Sequence, residues 1–175
     1  MLGLSQAELI KRLKRLDEDA YLSFEDDVRF QIVIVGGGAL VMQGYISRMT
    51  YDIDVFSVPP ALMSLLEKYG FDCRVQAYAN NFPTNYKDRL VLLLTGQRID
   101  YYSMSLEDII ISKLYSMRST DKADITSDDV IGSLDWNLLE RLAQGENEAK
   151  ASALNEKSYR EMLISYKEYV GEFGP

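Results

Sequence analysis

The sequence contains no histidine. That removes serine–histidine–aspartate triads, histidine general bases and histidine-ligated zinc. It contains one cysteine, Cys73, so disulfide scaffolds and paired-cysteine zinc sites are excluded within one chain. No apolar run approaches the length of a membrane span; "RLVLLLTG" is far too short. The opening "MLGLSQAELIKRLKR" passes straight into an amphipathic helical pattern, without an apolar signal core or a small-residue cleavage site. The expectation is a cytoplasmic protein with no membrane partner. Basic charge is also short: 19 Lys and Arg face 27 Asp and Glu, a net charge of −8. A broad DNA-binding surface is therefore not expected. The one dense basic run, "KRLKR" (Lys11, Arg12, Lys14 and Arg15), suits a solvated helix face. Any catalysis falls to carboxylates, Lys, Arg, Tyr, Ser or Thr, and carboxylates favour hard cations such as Mg²⁺.

What is present suits a globular domain of 175 residues with 47% apolar and 26% charged side chains. Ser5 with Glu8 reads as a capping box, followed by Leu9, Leu13, Leu16 and Ala20 at helical spacing. "FQIVIV" reads as a buried strand ending at Gly36, and "GALVMQGYI" as a short helix. "YDIDVF", "CRVQAY", "RLVLLLT" and "QRIDYYS" read as further strands, with a tight hairpin at "TGQ". "PPALMSLLEKYG" has proline at its start and glycine at its end, the usual helix asymmetry. Ser105 with Asp108 caps an apolar helix, Thr126 with Asp129 starts another, and the remainder reads helical with a break at Gly145 and Asn147. The expected fold is mixed α+β: a mixed sheet of about five strands flanked by helices over residues 1–104, then a helical part over 105–175.

Strand, glycine turn, helix suits phosphate, because glycine admits close backbone approach and free N–H groups attract anions. Gly36 and Gly38 fit a dinucleotide fingerprint, but Val41 stands at its third glycine, and no lysine follows to make a P-loop. Gly36, Gly37 and Gly38 equally suit a tight turn with close helix–strand packing. "YDIDVF" carries more. On a strand, residues i and i+2 share a face roughly 7 Å apart, so Asp52 and Asp54 point the same way. Paired carboxylates repel unless something neutralises them, and aspartate is a poor strand former. A divalent cation answers both objections and can hold a triphosphate for in-line attack; an exposed edge strand with solvated acids is the alternative. Asp100 in "RIDYYS" faces away from Ile99 and Tyr101. If its strand lies beside that of the pair, three carboxylates converge, the third as general base or further metal ligand. Lys113 falls on an apolar helical stripe with Leu106, Ile110 and Met117. A lysine there either snorkels or meets an anion.

A glycine pair after a strand, a D-x-D on the next and a lone acid on a later one resembles the DNA polymerase β-like nucleotidyltransferases. The finer resemblance is to AbiEii-type toxin-like proteins and their small bacterial relatives. "GGGAL", "RMTYDID", "SLEDIIISKL" and "DKAD" stand where that family has G-G-x-A-x, R-x-T-x-D-h-D (h hydrophobic), S-x-E-D-h-h-x-x-K-L and D-x-x-D. The resemblance spans about Val33 to Ile125. It implies a nucleotidyltransferase fold and Mg²⁺- or Mn²⁺-dependent transfer of a nucleotidyl group from a nucleoside triphosphate to a tRNA end or protein hydroxyl. It also implies a role as a toxin of a toxin–antitoxin or phage-defence system, with an antitoxin protein as partner. The implied metal ligands are Asp52, Asp54 and Asp100. Gly36, Gly37, Gly38, Arg48, Thr50 and Lys113 are the implied nucleotide contacts, and Lys113 and Asp121 join the catalytic set with Asp124 nearby. Asp121 and Asp124 equally suit helix capping. The chain departs from the pattern at "GGG", where related subgroups carry G-S and an arginine, and at Thr120, where a basic residue is expected. Those departures leave open a module that keeps the fold for binding or interaction and has lost turnover.

Overall fold

The structure, a computed structural model, describes residues 3–175, Gln76 by its backbone alone. The chain forms two compact units, one of Met1–Gln76 with Leu90–Met104, the other of Ala77–Arg89 with Ser105–Pro175.

The first unit opens with α1 (Gln6–Ser23). Ser5 and Glu8 close the expected capping box, with the Ser5 N–H donating to Glu8 Oε2 at 2.8 Å. Leu9, Leu13, Leu16 and Ala20 form its buried stripe. There follow β1 (Phe30–Ile34), α2 (Gly36–Met42), β2 (Ile53–Phe56), α3 (Met63–Lys68), β3 (Phe71–Asp72), β4 (Val91–Thr95) and β5 (Ile99–Ser103). The five strands make one mixed sheet in the order β3-β2-β1-β5-β4. β1 runs antiparallel to β2 and parallel to β5, β2 runs parallel to β3, and β4–β5 is the antiparallel hairpin expected at "TGQ". Ile32, Ile34, Ile53, Ile99 and Tyr101 are buried at its centre.

A buried carboxylate ties α1 to that hairpin. Asp17 accepts the backbone N–H groups of Gln97, Arg98 and Ile99 at 2.7, 2.8 and 2.9 Å. A Cβ at Gly96 would lie 2.4 Å from the Asp17 carboxyl carbon, so the turn admits only glycine there. The Tyr101 hydroxyl donates to the Leu13 carbonyl at 2.8 Å, joining β5 to the same helix.

"CRVQAY" departs from expectation. Arg74–Asn81 is 3₁₀-helical, kinked at Tyr78. The Asp72 carboxylate accepts the Arg74 N–H at 2.8 Å and turns the chain, a local hydrogen bond that overrides the β-prone Val75 and Tyr78. The fifth strand is instead the two-residue β3 just upstream.

The second unit is helical: α4 (Leu106–Ser116), α5 (Ser119–Ile125), α6 (Asp128–Ser133), α7 (Trp136–Gln144), α8 (Ala149–Ser152) and α9 (Glu156–Phe173). Ser105 caps α4 as expected. Ser127, one residue beyond the expected Thr126, stands at the start of α6 without a side-chain cap; its hydroxyl donates to the Asp124 carbonyl at 3.2 Å. α4 is the central helix, contacted by α5, α7 and α9. Its buried Asp108 accepts a two-pronged contact from Arg89, Nε at 2.9 Å and Nη2 at 2.8 Å. Among the described residues no helix is long and apolar enough to cross a membrane.

Candidate active site

β1 delivers the chain into the glycine turn, and β2 returns beside it. The Val35 N–H donates to the Asp54 carbonyl at 3.0 Å, so Asp54 stands opposite the start of the turn. Gly36 has φ +62, and a Cβ there would lie 2.9 Å from Asp54 Oδ2. Any L side chain at 36 would be strained and would press on the carboxylate. A Cβ at Gly37 would lie 2.8 Å from Arg48 Nη2. At Gly38 the nearest atoms are the Asp52 carbonyl and the Ile34 side chain, both at 3.7 Å, and Ile53 Cα at 3.9 Å. The three glycines therefore differ. Gly36 and Gly37 leave room for an acid and a guanidinium, whereas a Cβ at Gly38 would meet only ordinary contacts.

Asp52 is exposed and precedes the strand; Asp54 is half-buried within it. Thr50 is buried, and its hydroxyl donates to the Asp52 carbonyl at 3.0 Å. Its backbone bridges to Leu4 through two hydrogen bonds of 2.7 and 3.1 Å. Thr50 thus shapes the approach to the acids. Arg48 is exposed, and its Nη1 donates to the Met49 carbonyl at 3.2 Å.

Asp72 joins these groups, and sequence reasoning missed it. It pairs in register with Asp54 on the parallel neighbour strand, a spacing of about 4.8 Å that places both on one face. Arg74 Nε lies 2.9 and 3.0 Å from its two oxygens, and Nη2 also contacts Oδ2. The side-chain and backbone hydrogen bonds from Arg74 hold the Asp72 carboxyl below its usual range. Asp72, and then Asp52 and Asp54, in turn hold the Arg74 charge more firmly. The sequence signal was the D-x-R of "FDCRV": an aspartate whose carboxylate can accept a backbone N–H two residues on, which is a turn pattern. Burial, then Glu67 and Asp72, push the neighbouring Cys73 thiol up, away from nucleophile duty.

Asp100 is not brought to this site. β1 lies between its strand and β2. Asp100 pairs with Gln31, whereas Asp54 stands opposite Val35. Four residues along β1 and two strand spacings across separate the acids by roughly 16 Å. A general base must come within about 3 Å of the proton it takes. Asp100 instead accepts from Arg29 Nη2 at 2.7 Å. Its outward alternation was read correctly; the adjacency on which its convergence with the pair depended does not occur.

Of the two alternatives the apolar stripe left for Lys113, the structure shows the second: it meets an anion and does not snorkel. Within the helical unit its Nζ donates to Asp121 Oδ1 at 2.7 Å and Asp124 Oδ2 at 2.9 Å, with all three residues buried. Asp121 also accepts from Ser116 Oγ at 2.7 Å and Arg118 Nε at 2.8 Å. Burial alone would raise the Asp121 pKa, but the hydrogen bonds from Arg118 and Lys113 outweigh it and hold the group at about 2. The sequence-derived D-x-x-D thus acts as a buried counter-charge joining α5 to α4.

Among the described residues no group of three or more Asp, Glu or Cys is arranged to hold a metal ion. Two carboxylates beside a side-chain-free turn remain. Mg²⁺ is commonly held by one or two carboxylates, with water and substrate phosphates completing its shell. Asp52 and Asp54, with Gly36 open in front of Asp54, fit that donor set.

Compared with known proteins, the chain matches, over residues 11–173, the model of a family described as "Nucleotidyltransferase of unknown function (DUF6036)". No curated protein and no solved structure shows significant similarity to it.

Proposed function

We propose, from the premise that the chain belongs to that nucleotidyltransferase family, that it transfers a nucleotidyl group from a nucleoside triphosphate to a hydroxyl acceptor. In that reaction the acceptor hydroxyl gives up its proton to solvent, its oxygen bonds to the α-phosphorus, and the α-phosphorus bond to the bridging oxygen breaks to release pyrophosphate. The observation that carries the assignment is the approach of the Asp54 carboxylate to Gly36, where a Cβ would lie 2.9 Å from Oδ2. A turn in which a side chain at position 36 would be strained faces an acid whose i−2 neighbour is also an acid. Asp52 and Asp54 would hold a Mg²⁺ or Mn²⁺ ion, which when bound neutralises charge on the triphosphate. Gly36 and Gly37 keep the backbone approachable, and Thr50 holds the Asp52 backbone in place. Asp100 has no part in this assignment.

Resemblance to the DNA polymerase β-like and AbiEii-type proteins supports a tRNA end or a protein hydroxyl as acceptor, and a toxin paired with an antitoxin protein as the setting. The test is incubation with each α-labelled nucleoside triphosphate, Mg²⁺, and bulk tRNA or protein. Label appearing in one acceptor pool, and lost in Asp52→Asn and Asp54→Asn, is the expected result. Metal-dependent nucleotide binding without transfer to any pool would mark a binding module that keeps the fold.

A further inference from the structure

Arg74 lies outside all four sequence motifs, yet it is a cation of the carboxylate face. Its side chain is 90% exposed, while Asp72 holds it by Nε and Nη2. Asp72 is half-buried on β3, in register with Asp54. A guanidinium carries five N–H donors in a rigid fork. Contact through Nε and one Nη2 proton leaves three donors, both on Nη1 and one on Nη2, along the opposite edge. A backbone hydrogen bond, from the Arg74 N–H to Asp72 Oδ1 at 2.8 Å, fixes the base of the side chain. The arginine is thus oriented by a carboxylate and open on its far edge, beside the two acids assigned to the metal.

We infer that Arg74 is the polyphosphate-binding residue of this site and that Asp72 is its positioning residue. The ligand class is the triphosphate of a nucleoside triphosphate, which suits an oriented guanidinium edge. This inference rests on the assignment of Asp52 and Asp54 to the metal, and it adds a second, metal-independent hold on the same substrate. In the free protein the Arg74 charge also offsets repulsion among Asp52, Asp54 and Asp72.

The test is calorimetric titration of the full chain with inorganic tripolyphosphate, orthophosphate and nucleoside triphosphates, without and with Mg²⁺, alongside Mn²⁺ titration of the nucleotide-free protein. Arg74→Gln should weaken metal-free tripolyphosphate binding at least about tenfold, the scale of lost charge-assisted hydrogen bonds. It should weaken nucleoside triphosphate binding by the same factor. Arg74→Lys should recover part of the loss, and Asp72→Asn should cost less than Arg74→Gln. Mn²⁺ affinity should stay level or rise in Arg74→Gln, because a competing cation is gone. Equal tripolyphosphate affinity in parent and Arg74→Gln overturns the inference, as does orthophosphate binding as tight as tripolyphosphate. A parent that binds tripolyphosphate through Arg74 but shows no Asp54-dependent Mn²⁺ binding would instead overturn the metal assignment, so the two failures read differently.

Discussion

Replacing Lys113 with methionine separates two roles for that residue. Methionine keeps the apolar stem and suits a helix, so the change removes the ammonium and little else. The cluster of Lys113, Arg118, Asp121 and Asp124 has formal charges of +1, +1, −1 and −1, which sum to zero. Without the lysine it sums to −1. Arg118 is mostly exposed, whereas Asp121 and Asp124 side chains are 3% and 1% exposed. Breaking a buried pair by removing one partner costs about 3–5 kcal/mol. Urea unfolding at pH 7 should show a loss of that size. The loss should shrink as pH falls. The ammonium is one of the groups that hold the Asp121 carboxyl low, so the parent loses more of its stability on acidification than the variant does. Lys113→Met with Asp124→Asn should recover stability at neutral pH. An unchanged urea midpoint for Lys113→Met, combined with weakened triphosphate binding, would refute the structural role and return Lys113 to the nucleotide site that the family resemblance implies.

The parent should lose stability in acid. Asp121 has its folded pKa depressed to about 2. It contributes about 2 kcal/mol above its unfolded value near 4, and loses it as pH falls toward 2; acid titration followed by circular dichroism reads this. Asp17→Ala should cost about 4 kcal/mol in urea unfolding, because three backbone N–H groups at the β4–β5 turn lose a charged acceptor. Gly96→Ala, which collides with Asp17, should be less damaging in the Asp17→Ala background than in the parent. Asp100→Asn should leave triphosphate affinity and transfer rate unchanged and cost under about 1 kcal/mol, since only its ion pair with the half-exposed Arg29 is lost. A hundredfold fall in transfer would mean that Asp100 reaches the chemistry.

The legible parts of the molecule were those governed by neighbours along the chain. Ser5 with Glu8, Ser105 with Asp108, and the run from "FQIVIV" into the glycines each set a local structure within a few residues. The pairing of Asp52 with Asp54 was legible as spacing, although Asp52 lies just outside the strand. What was not legible depends on distant partners or on competition between local forces. Alternation cannot reveal that β1 lies between β2 and β5, so Asp100 was drawn toward the pair. The apolar stripe left Lys113 either to snorkel or to meet an anion, and the partners that decide it lie eight and eleven residues on, beyond a helix end. β3 has only two residues, too few for any periodicity, and that hid Asp72. The Asp72–Arg74 hydrogen bond then turned a β-prone segment into a 3₁₀ helix.

The central claim is that Asp52, Asp54 and the Gly36 turn form one metal-dependent nucleotide site. Calorimetric titration of nucleoside triphosphate into the parent and into Asp54→Asn, each with and without Mg²⁺, tests it most directly. The account predicts binding in the parent that strengthens at least about tenfold with Mg²⁺, and an Asp54→Asn protein of unchanged fold in which Mg²⁺ adds nothing. Equal Mg²⁺ enhancement in parent and variant, or none in the parent, would contradict it.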